Sequence, residues 1–260
     1  MSLFIFDIET IPDVEGGRRL YDLDGLAERD VVKAMQQKRR QESGTDFLRL
    51  HLQRIVAISM VMRQDDTVRV WSLGEPDSSE RELIRQFFGG IAKYTPILVS
   101  WNGGGFDLPV LHYRSLLHGV SAPRYWELGD NERDFRWDNY LNRFHWRHVD
   151  LMDVLAGYQL RAAAPLDEIA SLLGFPGKLG MHGGKVWEAY QAGDSVGIRN
   201  YCETDALNTY LIYLRFQLIR GMLNEAEYQR DCESLRDYLQ AQQQAHFDEF
   251  LTAWYWPQVF

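Results

Sequence analysis

Hydrophobic and polar positions change their spacing several times along the chain, and each change predicts an element. Leu3, Phe4, Ile5 and Phe6 open an apolar run that predicts a β-strand over residues 3–9. Residues 12–52 are polar and helix-favouring, carry the basic run Lys38, Arg39 and Arg40, and read as an insertion. Two β-type runs, 55–62 and 68–73, then flank the turn residues Gln64, Asp65 and Asp66 and predict a hairpin. Leu83, Ile84, Phe87, Phe88 and Ile91 recur at helical spacing within 78–93, with Ser79 and Glu82 available for capping.

The run ILVSW, residues 97–101, predicts a further strand, and Asn102 and three glycines make a loop before a helix with Pro109 in its first turn. Aromatic and cationic residues displace any period over 124–148, among them Trp126, Arg133, Arg136, Trp137, Arg143, His145, Trp146 and Arg147. HVDLMDVLAGYQL and PLDEIASLLGFPG read as helices with acidic caps, and GKLGMHGGK links them to a helix over 186–192. A long amphipathic helix over 195–223 and a Gln- and Glu-rich helical tail follow. Three strands, a helix, a strand and then helices predict an α/β fold, with a mixed β-sheet flanked by helices.

The chain has 260 residues, 45% of them hydrophobic, enough for one large domain with a buried core. A formal charge of -9 excludes a global basic field that would coat nucleic acid, but it is compatible with an acidic site neutralised by metal. Cys202 and Cys232 lack metal-ligand spacing, which makes a reducing compartment the default. No leader pattern and no apolar run near ~18 residues is present, so the expectation is a cytoplasmic protein with no membrane contact.

The candidate chemistry lies where acids end apolar elements. In FDIET, alternation along the strand sends Asp7 and Glu9 to one face and Phe6 and Ile8 to the other. Asp13 and Glu15 repeat the spacing beside Pro12, Gly16 and Gly17, where no strand would hold them. In NGGGFD, Asn102 ends a strand and Asp107 enters a helix, gaining from its N-terminus; an ordinary glycine turn explains the same residues. In YCETD, Tyr201 and Asp205 are four apart and share a helical face, whereas Tyr190 and Asp194 have Gly193 between them. Four converging carboxylates are unstable without cations. Oxygen ligands select Mg²⁺ or Mn²⁺, and two such ions roughly 3.5 to 4 Å apart suit phosphodiester hydrolysis.

FDIET, NGGGFD and YCETD, in that order, resemble the three exonuclease motifs of the DEDD superfamily, which is DnaQ-like with a ribonuclease H-like fold. The tyrosine four residues before the last aspartate makes the chain similar to the DEDDy branch. The resemblance extends to the proofreading exonuclease domain of family B DNA polymerases and its stand-alone relatives, over about residues 1–222. It implies two divalent ions, Mg²⁺ or Mn²⁺: Asp7 bridging both, Glu9 and Asp205 completing the first site, Asp107 holding the second. Tyr201 would orient the attacking water and Asn102 would shape the site. The implied reaction is 3′ to 5′ hydrolysis of single-stranded nucleic acid, DNA favoured, to nucleoside 5′-monophosphates.

Ile8, Thr10 and Phe106 inside the motifs are implied substrate contacts, and so are Lys178, His182 and Lys185 in the glycine-rich link; a solvated linker explains those three equally. An N-cap and a first-turn acid account for Asp150 and Asp153. The aromatic stretch from Tyr125 to Trp146 suits either stacking on single strands or ordinary packing. The expected organisation is an exonuclease domain over 1–222 with a helical insertion at about 12–53. A C-terminal helical extension over 223–260 would pack, with Trp254, Tyr255 and Trp256, on the body or on another subunit, which makes a homo-oligomer possible. With the chain stopping at Phe260, no polymerase domain is expected in it. A ribonuclease H-like endonuclease and a catalytically silent nucleic-acid-binding module are the alternative readings.

Overall fold

Strand β1 (Ser2–Pro12) is the axis of the molecule, and its alternation decides which layer covers which face. The computed structural model describes residues 2–65 and 67–255. Helices α1 (Val14–Tyr21) and α2 (Glu28–Ser43) occupy the polar insertion. The hairpin β2 (Gln53–Gln64) and β3 (Thr67–Ser72) comes next, followed by α3 (Glu80–Tyr94), β4 (Ile97–Ser100) and α4 (Asp107–His118). A long loop leads to β5 (His148–Asp150), α5 (Leu151–Leu155), α6 (Leu166–Leu172) and α7 (Val186–Gln191). Helices α8 (Ser195–Ile219), α9 (Glu225–Gln242) and α10 (Ala245–Ala253) complete the described chain.

The sheet has the order β3-β2-β1-β4-β5, with β1, β2 and β3 antiparallel and β4 and β5 parallel to β1. This is a ribonuclease H-like α/β fold, a mixed five-stranded sheet flanked by helices. Phe4, Phe6 and Ile8 pack with Phe87, Ile84 and Leu111 of α3 and α4. Leu3 and Ile5 face the other way, against Leu207, Tyr210 and Leu211 of α8. Residues beyond 222 share that second core: Cys232, Leu235, Leu239, Phe250 and Trp254 are all buried in it. Asp66 and Trp256 lie outside the described residues.

Two features differ from expectation. His148 to Asp150 reads as the start of a helix, but Val149 pairs with Val99 and the three residues form β5, so the helix begins only at Leu151. Three residues are too few to show a period, and their partner strand decides their state. Helix α8 reads as amphipathic yet is buried from Tyr201 to Ile212, polar residues included, because the sheet lies on one side and α6, α9 and α10 on others.

The insertion has a small core of its own in Val31, Met35, Leu48 and Leu52. Asp13 caps α1 through Gly16 N at 3.1 Å and joins Arg114 of α4 in a buried ion network. Arg114 also holds Glu80 of α3 in a two-point contact, at 2.7 and 2.6 Å, and Glu80 accepts the backbone N–H of Ile55 at 2.7 Å. One guanidinium therefore ties the insertion, α3 and the start of β2 together. No helix of the described residues is long and apolar enough to cross a membrane.

Replacing Arg114 by alanine leaves the buried Asp13 without its counter-charge and Glu80 with only His118, at 2.6 Å. The expected loss is about 3 to 5 kcal/mol of unfolding free energy. Equilibrium urea unfolding checks this, and a loss below about 1 kcal/mol, the range of an exposed pair, contradicts it.

Candidate active site

Because Leu3 and Ile5 face α8, the same alternation places Asp7 and Glu9 under that helix at the far end of β1. Pairing with β2 slips between Glu9 and Thr10, which leaves Val56 as an extra residue opposite that step. Tyr201 and Asp205 lie one turn apart on α8 above them. One carboxylate oxygen from each of Asp7, Glu9 and Asp205 lies within 4.8 Å of the others. The phenol of Tyr201 is hydrogen-bonded to Asp205.

Asp107, at the start of α4, stands outside that trio and is tied instead to the strand that carries two of its members. Its Oδ1 accepts the backbone N–H of Ile8, the residue between the two strand acids, at 3.2 Å. The glycine loop before it is tightly built: a Cβ on Gly103 would lie 2.2 Å from Ser100 Oγ. Asp150 caps α5 and also accepts Asn102 N at 2.9 Å and Gly104 N at 2.8 Å. The cap expected from sequence is therefore also the anchor of the loop that delivers Asp107.

Burial dominates the electrostatics. It pushes Asp7 well above the ordinary carboxylate range, with the charges of Asp107, Asp205 and Glu9 adding to the effect. Glu9 is raised by burial and by Asp205 and Asp107, with Lys178 opposing. Asp107 is raised by burial to about 7, and Asp205 by burial to about 6, the latter against the hydrogen bond from Tyr201. Burial and the neighbouring carboxylates push the Tyr201 phenol upward, so it keeps its proton. The Cys202 thiol, also raised by burial, donates toward Asp7 Oδ2 at 3.4 Å and packs directly beneath the acids.

An open cleft of about 670 Å³ lies over Asp7, Glu9 and Asp205, and Asp107 is not among the residues that line it. Asp7, Ile8, Glu9, Thr10, Asn102, Phe106, Lys178, Tyr201 and Asp205 all face it. Ile8 lines it while its side chain belongs to the α3 and α4 core. Lys178 stands on a fixed backbone, since Asn208 of α8 accepts from Gly177 N at 3.1 Å and donates to Gly177 O at 2.9 Å. Its ammonium lies 3.6 Å from Asp167. His182 and Lys185 are exposed and flank Gly183 and Gly184, the residues of that turn that line the cleft. A buried set of oxygen donors of one sign fits a hard divalent cation such as Mg²⁺ or Mn²⁺.

The chain matches, over residues 45–254, the family described as a predicted 3′-5′ exonuclease related to the exonuclease domain of PolB. It belongs to that family. The match covers most of the chain and takes in Asp107, Tyr201 and Asp205, while β1 with Asp7 and Glu9 precedes it. The chain is also 52% identical over 42 residues to DNA polymerase 1 of Sulfurisphaera ohwakuensis; that segment is 16% of this chain and 5% of the relative.

Several residues of the cleft carry no motif. Gln36, Asp46, Phe47 and Leu48 come from the insertion, which thus forms one wall. Gln53 links that wall to β1, accepting from Thr10 Oγ1 at 3.1 Å and donating to Leu48 O at 3.2 Å. Nothing local in a polar helical segment indicates that it folds over a strand end. Within the aromatic stretch Arg147 stacks on Phe135 at 4.3 Å and Tyr125 on Tyr140, which is ordinary packing, and Trp137 and Phe144 are exposed.

The raised carboxylates predict a pH dependence with a definite sign. Between the ordinary value near 4 and the folded values of about 6 and 7 for Asp205 and Asp107, the native state binds more protons than the unfolded one. Metal-free protein therefore loses stability as pH rises from about 4 to 7 through these groups. Mn²⁺ at pH 8 restores the melting temperature, and Asp205→Asn raises metal-free stability at pH 8 while shrinking the Mn²⁺ increment. Thermal melts at pH 5 and 8, with and without Mn²⁺, check this.

Proposed function

We propose that the chain is a two-metal-ion 3′ to 5′ exonuclease that removes nucleoside 5′-monophosphates from single-stranded nucleic acid, DNA favoured. The observation that carries this reading is the meeting of Asp7, Glu9 and Asp205 at the base of the open cleft, with Asp107 and Tyr201 beside them. Asp7, Glu9 and Asp205 would hold one divalent ion, and Asp7 with Asp107 the second. When bound, the ions neutralise the acids, activate a water and stabilise the leaving oxygen.

The protein's own groups supply position. Tyr201, protonated and hydrogen-bonded to Asp205, presents a phenol suited to orienting the attacking water. Asp107 stays fixed because its carboxylate is tied to the β1 backbone at Ile8. Lys178 brings a positive charge to a cleft whose base is acidic, where it would meet the scissile phosphate. Asn102, held in a left-handed conformation with φ 62° by the Asp150 contact, and Phe106 shape the opposite wall.

Incubation of a 5′-labelled single-stranded oligonucleotide with Mg²⁺ or Mn²⁺ tests the proposal. Stepwise shortening from the 3′ end is expected, with none for Asp7→Ala or Asp205→Ala and a kcat lowered about 10²-fold for Tyr201→Phe. A circular single strand remains intact. Absence of shortening, activity unchanged in Asp7→Ala, or cutting of the circle overturns the reading.

A further inference from the structure

We infer that Phe47, contributed by the insertion, is a stacking platform for an unpaired nucleobase in the catalytic cleft. The inference rests on the reading of that cleft as a nucleic-acid site. Phe47 is 56% exposed although its neighbour Leu48 is buried, so the chain turns one apolar side chain into the insertion's core and the next out into the cleft. Its ring lies 5.9 Å from that of Phe106, the residue before Asp107, at an interplanar angle of 48°. Two aromatic rings from different elements thus border the space next to the carboxylates.

The mounting of Phe47 is rigid. Arg39 Nε donates to Phe47 O at 3.1 Å, and Phe47 N donates to Thr45 Oγ1 at 3.2 Å. Gln53 fixes the next carbonyl, that of Leu48, and links it to Thr10 beside Glu9. Arg40 pairs with Asp46 at 2.8 Å, which offsets a carboxylate that would otherwise repel a phosphate from this wall. The basic run of the insertion therefore holds the loop: Arg39 and Arg40 both bind it, while Lys38 pairs with Glu42 along α2 at 3.4 Å.

An exposed aromatic ring on a fixed backbone costs little entropy to use, and every base offers a π-face to it. Phe47 would act on base binding next to the scissile bond, independent of sequence, leaving the chemistry to the acids.

The test uses an oligonucleotide carrying 2-aminopurine at its 3′ end and the full chain with Asp7→Ala, so that binding is read without turnover. The parent quenches the fluorescence. Adding Phe47→Ala or Phe47→Leu removes the quench and raises Kd about 5-fold or more, the lower bound for one lost stack, and Phe47→Trp restores both. The exposed position leaves circular dichroism and melting temperature unchanged in all three. Phe47→Leu or Phe47→Ala binding and quenching like the parent overturns the inference, as does a parent that does not quench. Quenching with the full pattern, in a protein whose native form fails to shorten oligonucleotides, upholds the platform and sinks the exonuclease reading alone.

Discussion

Confinement of like charges is the constraint on which the rest of this structure depends. Asp7, Glu9 and Asp205 are held within a few ångströms of each other, with Asp107 tied to the backbone between the first two. Such an arrangement opposes folding, because burial and mutual repulsion both penalise the ionised forms. The surrounding elements supply the compensation: two apolar cores, one on each face of β1.

Helix α8 shows how the fold meets that constraint. It crosses the sheet as a buried rod, and several of its polar residues are engaged within the protein. Tyr201 bonds Asp205, Asn208 clamps Gly177 below Lys178, and Glu203 accepts from Ser72 at 2.7 Å and contacts His246 of α10 at 2.9 Å. Bringing acids from β1 and α8 to one point thus requires α9 and α10 as well, since their apolar residues close the far side of α8. The site and the core are one construction, and the family match running to residue 254 takes in those last helices.

The parts of this legible in the sequence are those with a short-range signal. Apolar runs marked β1, β2, β3 and β4, helical spacing marked α3, and alternation alone put Asp7 and Glu9 on one face. Strand β5 was not legible, because three residues carry no period and only pairing with β4 makes them a strand. Contacts between distant segments were equally hidden. Asp150 reads as a helix cap and is one, yet its second function, anchoring Asn102 and Gly104, depends on β4 and β5 lying side by side. Arg114 and Phe47 have no motif around them, and their places follow from tertiary packing of the insertion.

The central claim is that these carboxylates sit together because divalent cations complete them. Diffraction from crystals soaked in Mn²⁺, recorded where manganese scatters anomalously, tests it most directly. The account predicts an anomalous peak coordinated by Asp7, Glu9 and Asp205, lost in Asp205→Asn. A saturating soak that leaves no peak between those three carboxylates would contradict it.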